Sequence, residues 1–130
     1  DPVAAVRALH APPGIVVTGA VPDLLPVWAR TRVMVAPLRY SAGIQNKILE
    51  AMAAGVPVVT TPPAAEAIGA HDGVDIRVGA DTDALACATV VALTAPDDPA
   101  WRERARNLVR AGFSWDALVR RLEQLAGGPR

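Results

Sequence analysis

Four short apolar runs punctuate the chain, at 15–18, 33–36, 56–60 and 75–78. The first three are continuous and β-branched rather than alternating, the pattern of strands buried on both faces. Between and after them the apolar spacing turns helical. It predicts helices over 23–30, 44–54, 64–69 and 82–93, then two in succession over 99–110 and 115–126. Asp81 is placed to cap the fourth of these, and Ser114 the last. Asp98 before Pro99 supplies a cap followed by proline at the first helical position. Trp28, Trp101 and Trp115 are expected to anchor their helices to the core. Strands alternating with helices imply an α/β fold, a parallel sheet with right-handed crossovers flanked by helices. No repeat interrupts it, and residues 1–130 read as one domain.

The pattern is most specific over residues 43–59: a glycine turn, an amphipathic helix, a second glycine and a buried strand. In a parallel sheet, ligands sit beyond the carboxyl ends of strands, where loops lead into helices. The strand at 33–36 leads through Arg39 and Tyr40 to Gly43 and this helix, so the first amides, from Ile44 to Lys47, face such a site. Free amides and the helix dipole attract phosphate, and glycine lets it approach the backbone. Lys47 is the only lysine among 13 basic residues. In a first helical turn it opposes the dipole, so stability alone does not account for it. Arg39 adds a potential forked donor.

Asn46, Lys47 and Glu50 fall on one polar edge, three and four residues apart, while Ile48, Leu49, Met52 and Ala53 form the apolar face. Glu50 lies ~9 Å along the axis from Ile44, which suits a diphosphate at the helix start and a sugar diol further on. A carboxylate accepts from two adjacent hydroxyls, as in ribose recognition. Plainer readings stand beside these. Glu50 and Lys47 could form an ordinary ion pair worth ~0.3 kcal/mol. Arg39 could be a surface charge, and Tyr40 could pack or touch ligand. Gly55 reads as a helix stop.

Composition narrows the field. Acids and bases balance at 13 each, so no overall field draws nucleic acid or anionic lipid. With 52% hydrophobic residues the chain can bury a core, yet no run approaches the ~20 residues of a membrane span. One cysteine and two histidines exclude a cysteine metal cluster and argue against zinc, and no metal or cofactor is expected. The expected compartment is the cytoplasm. The chain opens on Asp1-Pro2 without a signal-peptide pattern and is expected to belong to something longer. The glycine fingerprints of dinucleotide-binding folds and of P-loops are missing, as is the acidic cluster of a receiver-like signalling domain.

Residues 46–61, Asn-Lys-Ile-Leu-Glu-Ala-Met-Ala-Ala-Gly-Val-Pro-Val-Val-Thr-Thr, closely resemble the nucleotide-sugar-binding C-terminal half of retaining GT-B glycosyltransferases. Residues 17–23, 33–38 and 113–115 resemble further segments of that half, in the same order. The resemblance spans about 14–125. It implies that Glu50 binds the ribose hydroxyls, that Gly43 and Ile44 meet the diphosphate or sugar, and that Gly19 and Val21 line the base pocket. It implies metal-free sugar transfer, with charge stabilisation of the departing nucleotide. The acceptor site and the catalytic histidine would lie in an N-terminal domain, so no catalytic residue is assigned within these residues.

Two departures from the family stand out. Ala42 occupies the position where many members carry a glutamate for the donor sugar. A Gly-x-x-Asn-Lys-x-x-Glu subset also lacks that glutamate, and this chain resembles the subset, which occurs among exopolysaccharide transferases acting in the cytoplasm or at the inner face of the membrane. Second, the family has two more strands before residue 15, in sheet positions between 15–18 and 33–36, so this is an incomplete GT-B half. The expectation is that those two strands pair directly or that strands come from another chain, through exposed sheet edges. Same-fold sugar-nucleotide epimerases and a non-catalytic α/β binding or interaction domain are the alternatives.

Overall fold

The computed structural model describes residues 2–40, 43–125 and 127. Its elements run α1 (Ala4–Arg7), α2 (Leu25–Trp28), β1 (Met34–Ala36), α3 (Asn46–Ala54), β2 (Val58–Thr60), α4 (Pro62–Ile68), β3 (Arg77–Val78), α5 (Thr82–Thr94), α6 (Pro99–Phe113) and α7 (Trp115–Leu125). The strands form one parallel sheet in the order β1-β2-β3. Ala36 stands beside Thr60, and Thr60 beside Val78. The α/β architecture therefore forms as the alternation of runs predicts.

The central strand is the most protected element, and Val58, Val59 and Thr60 are all fully buried. Ile48, Ala51 and Met52 of α3 close over β1 and β2, and Ala105 of α6 packs into the same cluster. The buried face of α3 thus includes Ala51, whereas Ala53, assigned to it from the sequence, is exposed. A 100° step per residue places Ala51 about 60° to one side of Ile48 and Met52 about 40° to the other, with Ala53 a further ~100° round and off the stripe. The caps at Asp81, Asp98 and Ser114 form, each side-chain oxygen accepting from the amide three residues on.

The run at 15–18 is not a strand. Ala11 and Ile15 exchange two backbone hydrogen bonds across Pro12-Pro13-Gly14, and the Val17 amide donates to Nδ1 of His10. A local loop thus takes up the Ile15 backbone groups and the Val17 amide, and Ile15 and Val16 stay 50% and 60% exposed. No direct pairing with 33–36 occurs either: β1 pairs with β2 alone among the described residues, and Val35 is exposed at its side. A strand needs a neighbour, and the described residues offer 15–18 none.

The tryptophans divide. Trp28 packs against the core and Trp101 is half-buried, but Trp115 is 84% exposed. The buried residue of α7 is Ala117, while Leu118, Val119, Leu122 and Leu125 share the exposure of Trp115. Helical spacing places those five on one side and Ala117 nearly opposite. Helix α7 meets α6 by its small-residue side, and its apolar stripe faces outward.

Two glycines are fixed for different reasons. Gly55 ends α3 at φ +77°, and the Arg106 guanidinium lies where a Cβ would project. Gly79 lies outside the left-handed region, but a Cβ there would run into the backbone of Ala84 and Leu85. Met52→Ala is expected to cost ~2–5 kcal/mol in denaturant unfolding, the range for emptying a closed core site. Gly55→Ala is expected to cost at least the ~1–2 kcal/mol of a left-handed alanine. Gly79→Ala should cost more than Gly55→Ala, because backbone yields less readily than a guanidinium.

Candidate functional site

All three strands point their carboxyl ends the same way, so the segments following them converge at one pole of the molecule. After β1, residues 37–45 lead into α3; after β2, Thr61 leads straight into α4; after β3, Gly79 and Asp81 lead into α5. Two adjacent threonines stitch this pole together. The Thr60 hydroxyl donates to the Ala36 carbonyl at 2.9 Å, and that of Thr61 to the Leu38 carbonyl at 2.6 Å. Both threonines are buried, and a buried hydroxyl needs a partner. Sequence inspection left them unassigned; the available signal was a pair of hydroxyls where a buried strand ends. They hold the start of the 37–45 segment against β2 and so aim it.

That segment carries the predicted residues. Arg39 and Tyr40 are exposed on it, with Tyr40 at 88%. Gly43 has φ +92° and open space where a Cβ would stand, so its backbone conformation, not crowding, favours glycine. Ile44 is exposed beside it. Ser41 and Ala42 lie outside the described residues, and with them the position of the family's second glutamate.

Helix α3 starts at Asn46, with Gln45 as a cap that contributes no side-chain hydrogen bond. The amides of Ile48 and Leu49 bond back to the Gln45 carbonyl, while those of Asn46 and Lys47 have no acceptor among the described residues. Two donors therefore project from the positive end of a nine-residue helix. Asn46, Lys47 and Glu50 are exposed on one edge, as their spacing predicts. Lys47 and Glu50 form no ion pair and no hydrogen bond with each other. The plain reading of the two as a surface pair therefore fails, and both side chains are available to a ligand.

Gly19 and Val21 sit elsewhere, on the segment between the 11–15 loop and α2. Gly19 has φ +69°, and its nearest neighbour across space is Pro2; Val21 is half-buried. No hydrogen bond joins either residue to the α3 edge. Because 15–18 is a loop, Gly19 does not follow a strand as the base-pocket reading supposes.

The sequence profile for glycosyl transferases group 1 matches residues 2–95. The chain belongs to that family. The matched segment takes in the three strands, α3 and the pole just described, and ends before α6 and α7. Among curated proteins and solved structures, none matches the chain. Membership makes this a glycosyltransferase domain, and the α3 pole its strongest candidate site by geometry. None of the described helices is long and apolar enough to cross a membrane.

Thr61→Val removes one of the two stitches and leaves the Leu38 carbonyl unpaired. It is expected to lower unfolding free energy by ~1–2 kcal/mol. It should also speed hydrogen exchange at the Leu38 amide, which bonds to the Ala36 carbonyl.

Proposed function

We propose that this glycosyltransferase domain binds a nucleotide-diphosphate sugar at the amino end of α3, for transfer to an acceptor with retention and without a metal or other cofactor. The observation that carries the reading is the pair of amides at Asn46 and Lys47 that have no acceptor among the described residues, beside Lys47 and Glu50 side chains that pair with none of them. Those amides and the backbone at Gly43 and Ile44 take the diphosphate. Lys47 adds a point charge and Arg39 a fork, while the Asn46 side chain closes the near edge. Glu50, further along the same edge, accepts from the ribose hydroxyls. Gly19 and Val21 take the base.

The acceptor and the catalytic groups belong to a separate N-terminal domain, and transfer occurs in the cytoplasm or at the inner face of the membrane, in exopolysaccharide assembly. The outer side of β1 completes its sheet with strands borrowed from another chain. Nucleic acid is not a ligand, because the bases and acids balance. Family membership favours transfer over the epimerase reading, and over a domain that binds without catalysis.

The test is calorimetric titration with UDP, GDP and ADP. Glu50→Ala is expected to weaken the preferred nucleotide about tenfold or more, since hydrogen bonds to a charged group are worth ~1.5–3 kcal/mol. Lys47→Ala is expected to weaken diphosphates far more than the parent nucleosides. Unchanged affinity for all three nucleotides in Glu50→Ala would remove the ribose assignment. Equal losses for nucleoside and diphosphate in Lys47→Ala would place that side chain away from the phosphates.

A further inference from the structure

At the opposite pole, where the strands begin, lies a cleft of about 780 Å³. Arg30 and Arg32 enter it from the α2–β1 connection, Arg77 from the start of β3, and Arg102 and Arg104 from the first turns of α6. Only Asp97 and Asp98 oppose them in its lining. In a chain whose acids and bases cancel, five arginines facing two carboxylates make a local excess of positive charge. Both carboxylates are already engaged. Asp97 lies 2.6 Å from Arg102; Asp98 lies 3.8 Å from Arg104 and also caps α6 through the Trp101 amide.

The carboxyl ends of α3 and α5 reach this pole too, and offset part of the charge. Arg32 donates to the Leu93 carbonyl at 2.9 Å, near the end of α5, and Nε of Arg30 donates to the Pro26 carbonyl at 3.3 Å. Each contact uses one nitrogen of a guanidinium and leaves the other donors open. Arg77 has no partner among the described residues. With roughly half a negative charge from each helix end, about two positive charges remain uncompensated. Trp28 and Trp101 supply apolar wall beside them. The volume falls within the ~300–1,000 Å³ of small-molecule sites.

We propose that this cleft is a second binding site, remote from the α3 pole, for a ligand bearing a phosphate or diphosphate group. Guanidinium forks pair two oxygens of a phosphate at once, and Arg77 with the open donors of Arg30 provides them. The indoles cover the less polar remainder of the ligand. A soluble phosphorylated compound and a phospholipid headgroup share this chemistry, and the two sources separate by experiment.

The probe is inorganic pyrophosphate, titrated at low salt into the full chain with the three indole N–H resonances followed by NMR. Trp28 and Trp101 should shift, while Trp115, exposed on α7 outside the cleft lining, serves as an internal reference. Arg77→Ala or Arg30→Gln should weaken the response about tenfold, and Lys47→Ala, at the other pole, should leave it unchanged. Raising salt to ~1 M, where the screening length is ~3 Å, should suppress it. In a parallel arm, phosphatidylglycerol vesicles that sediment the wild type but not Arg77→Ala identify a headgroup as the source; indole shifts without sedimentation identify a soluble ligand. The proposal falls if pyrophosphate leaves Trp28 and Trp101 unmoved and vesicles show no dependence on Arg77. It falls equally if both cleft variants respond as the wild type does.

Discussion

Everything else in the molecule depends on the alignment of Ala36, Thr60 and Val78 side by side in parallel. Parallel pairing sends every strand towards the same pole, so every following helix begins there and ends at the other. Helix amino ends, with the Asn46 and Lys47 amides open among the described residues, collect at one pole, and helix carboxyl ends collect at the other. The chemistry of the two poles follows directly. Threonine hydroxyls and a glycine shape the first, while arginines gather at the second and bond to helix carbonyls. A chain with zero formal charge is in this way strongly polarised along its sheet.

Helix α3 joins the core to that polarity. One side, Ile48, Ala51 and Met52, is among the most deeply buried surface in the protein, and the other carries Asn46, Lys47 and Glu50 into solvent. The same burial that stabilises the fold fixes the angle of the polar edge, so the edge is positioned without a hydrogen bond between its own members. The Gly55 stop and the Arg106 contacts with the Ala53 and Ala54 carbonyls hold the far end. The ligand-facing edge is therefore preorganised by packing rather than by side-chain pairing.

Much of this was legible in the sequence, because the informative signals were local. A continuous β-branched run gave β2, caps gave α5, α6 and α7, and three-and-four spacing gave the α3 edge. What failed depended on neighbours. Residues 15–18 have the composition of a strand, but strand formation is decided by a partner, and the 11–15 loop claims the backbone first. Trp115 has the pattern of a core anchor, but orientation is decided by what α6 presents, and α6 accepts Ala117. The Thr60 and Thr61 hydroxyls and the arginine cleft were out of reach for the same reason, since residues far apart in the chain meet only after folding.

The outward stripe of α7 has a thermodynamic consequence. Trp115, Leu118, Val119, Leu122 and Leu125 keep large apolar side chains in water on an 11-residue helix. Each such side chain would gain ~1.5–3 kcal/mol if fully covered. A helix of that length is marginal in water without packing. The population of α7 as a helix is then governed by mass action: whatever covers the stripe at concentration c stabilises it by RT ln(1 + c/Kd), a gain that grows with the logarithm of that concentration. The last element of this chain is thus coupled to its surroundings, while β2, sealed on both sides, is not.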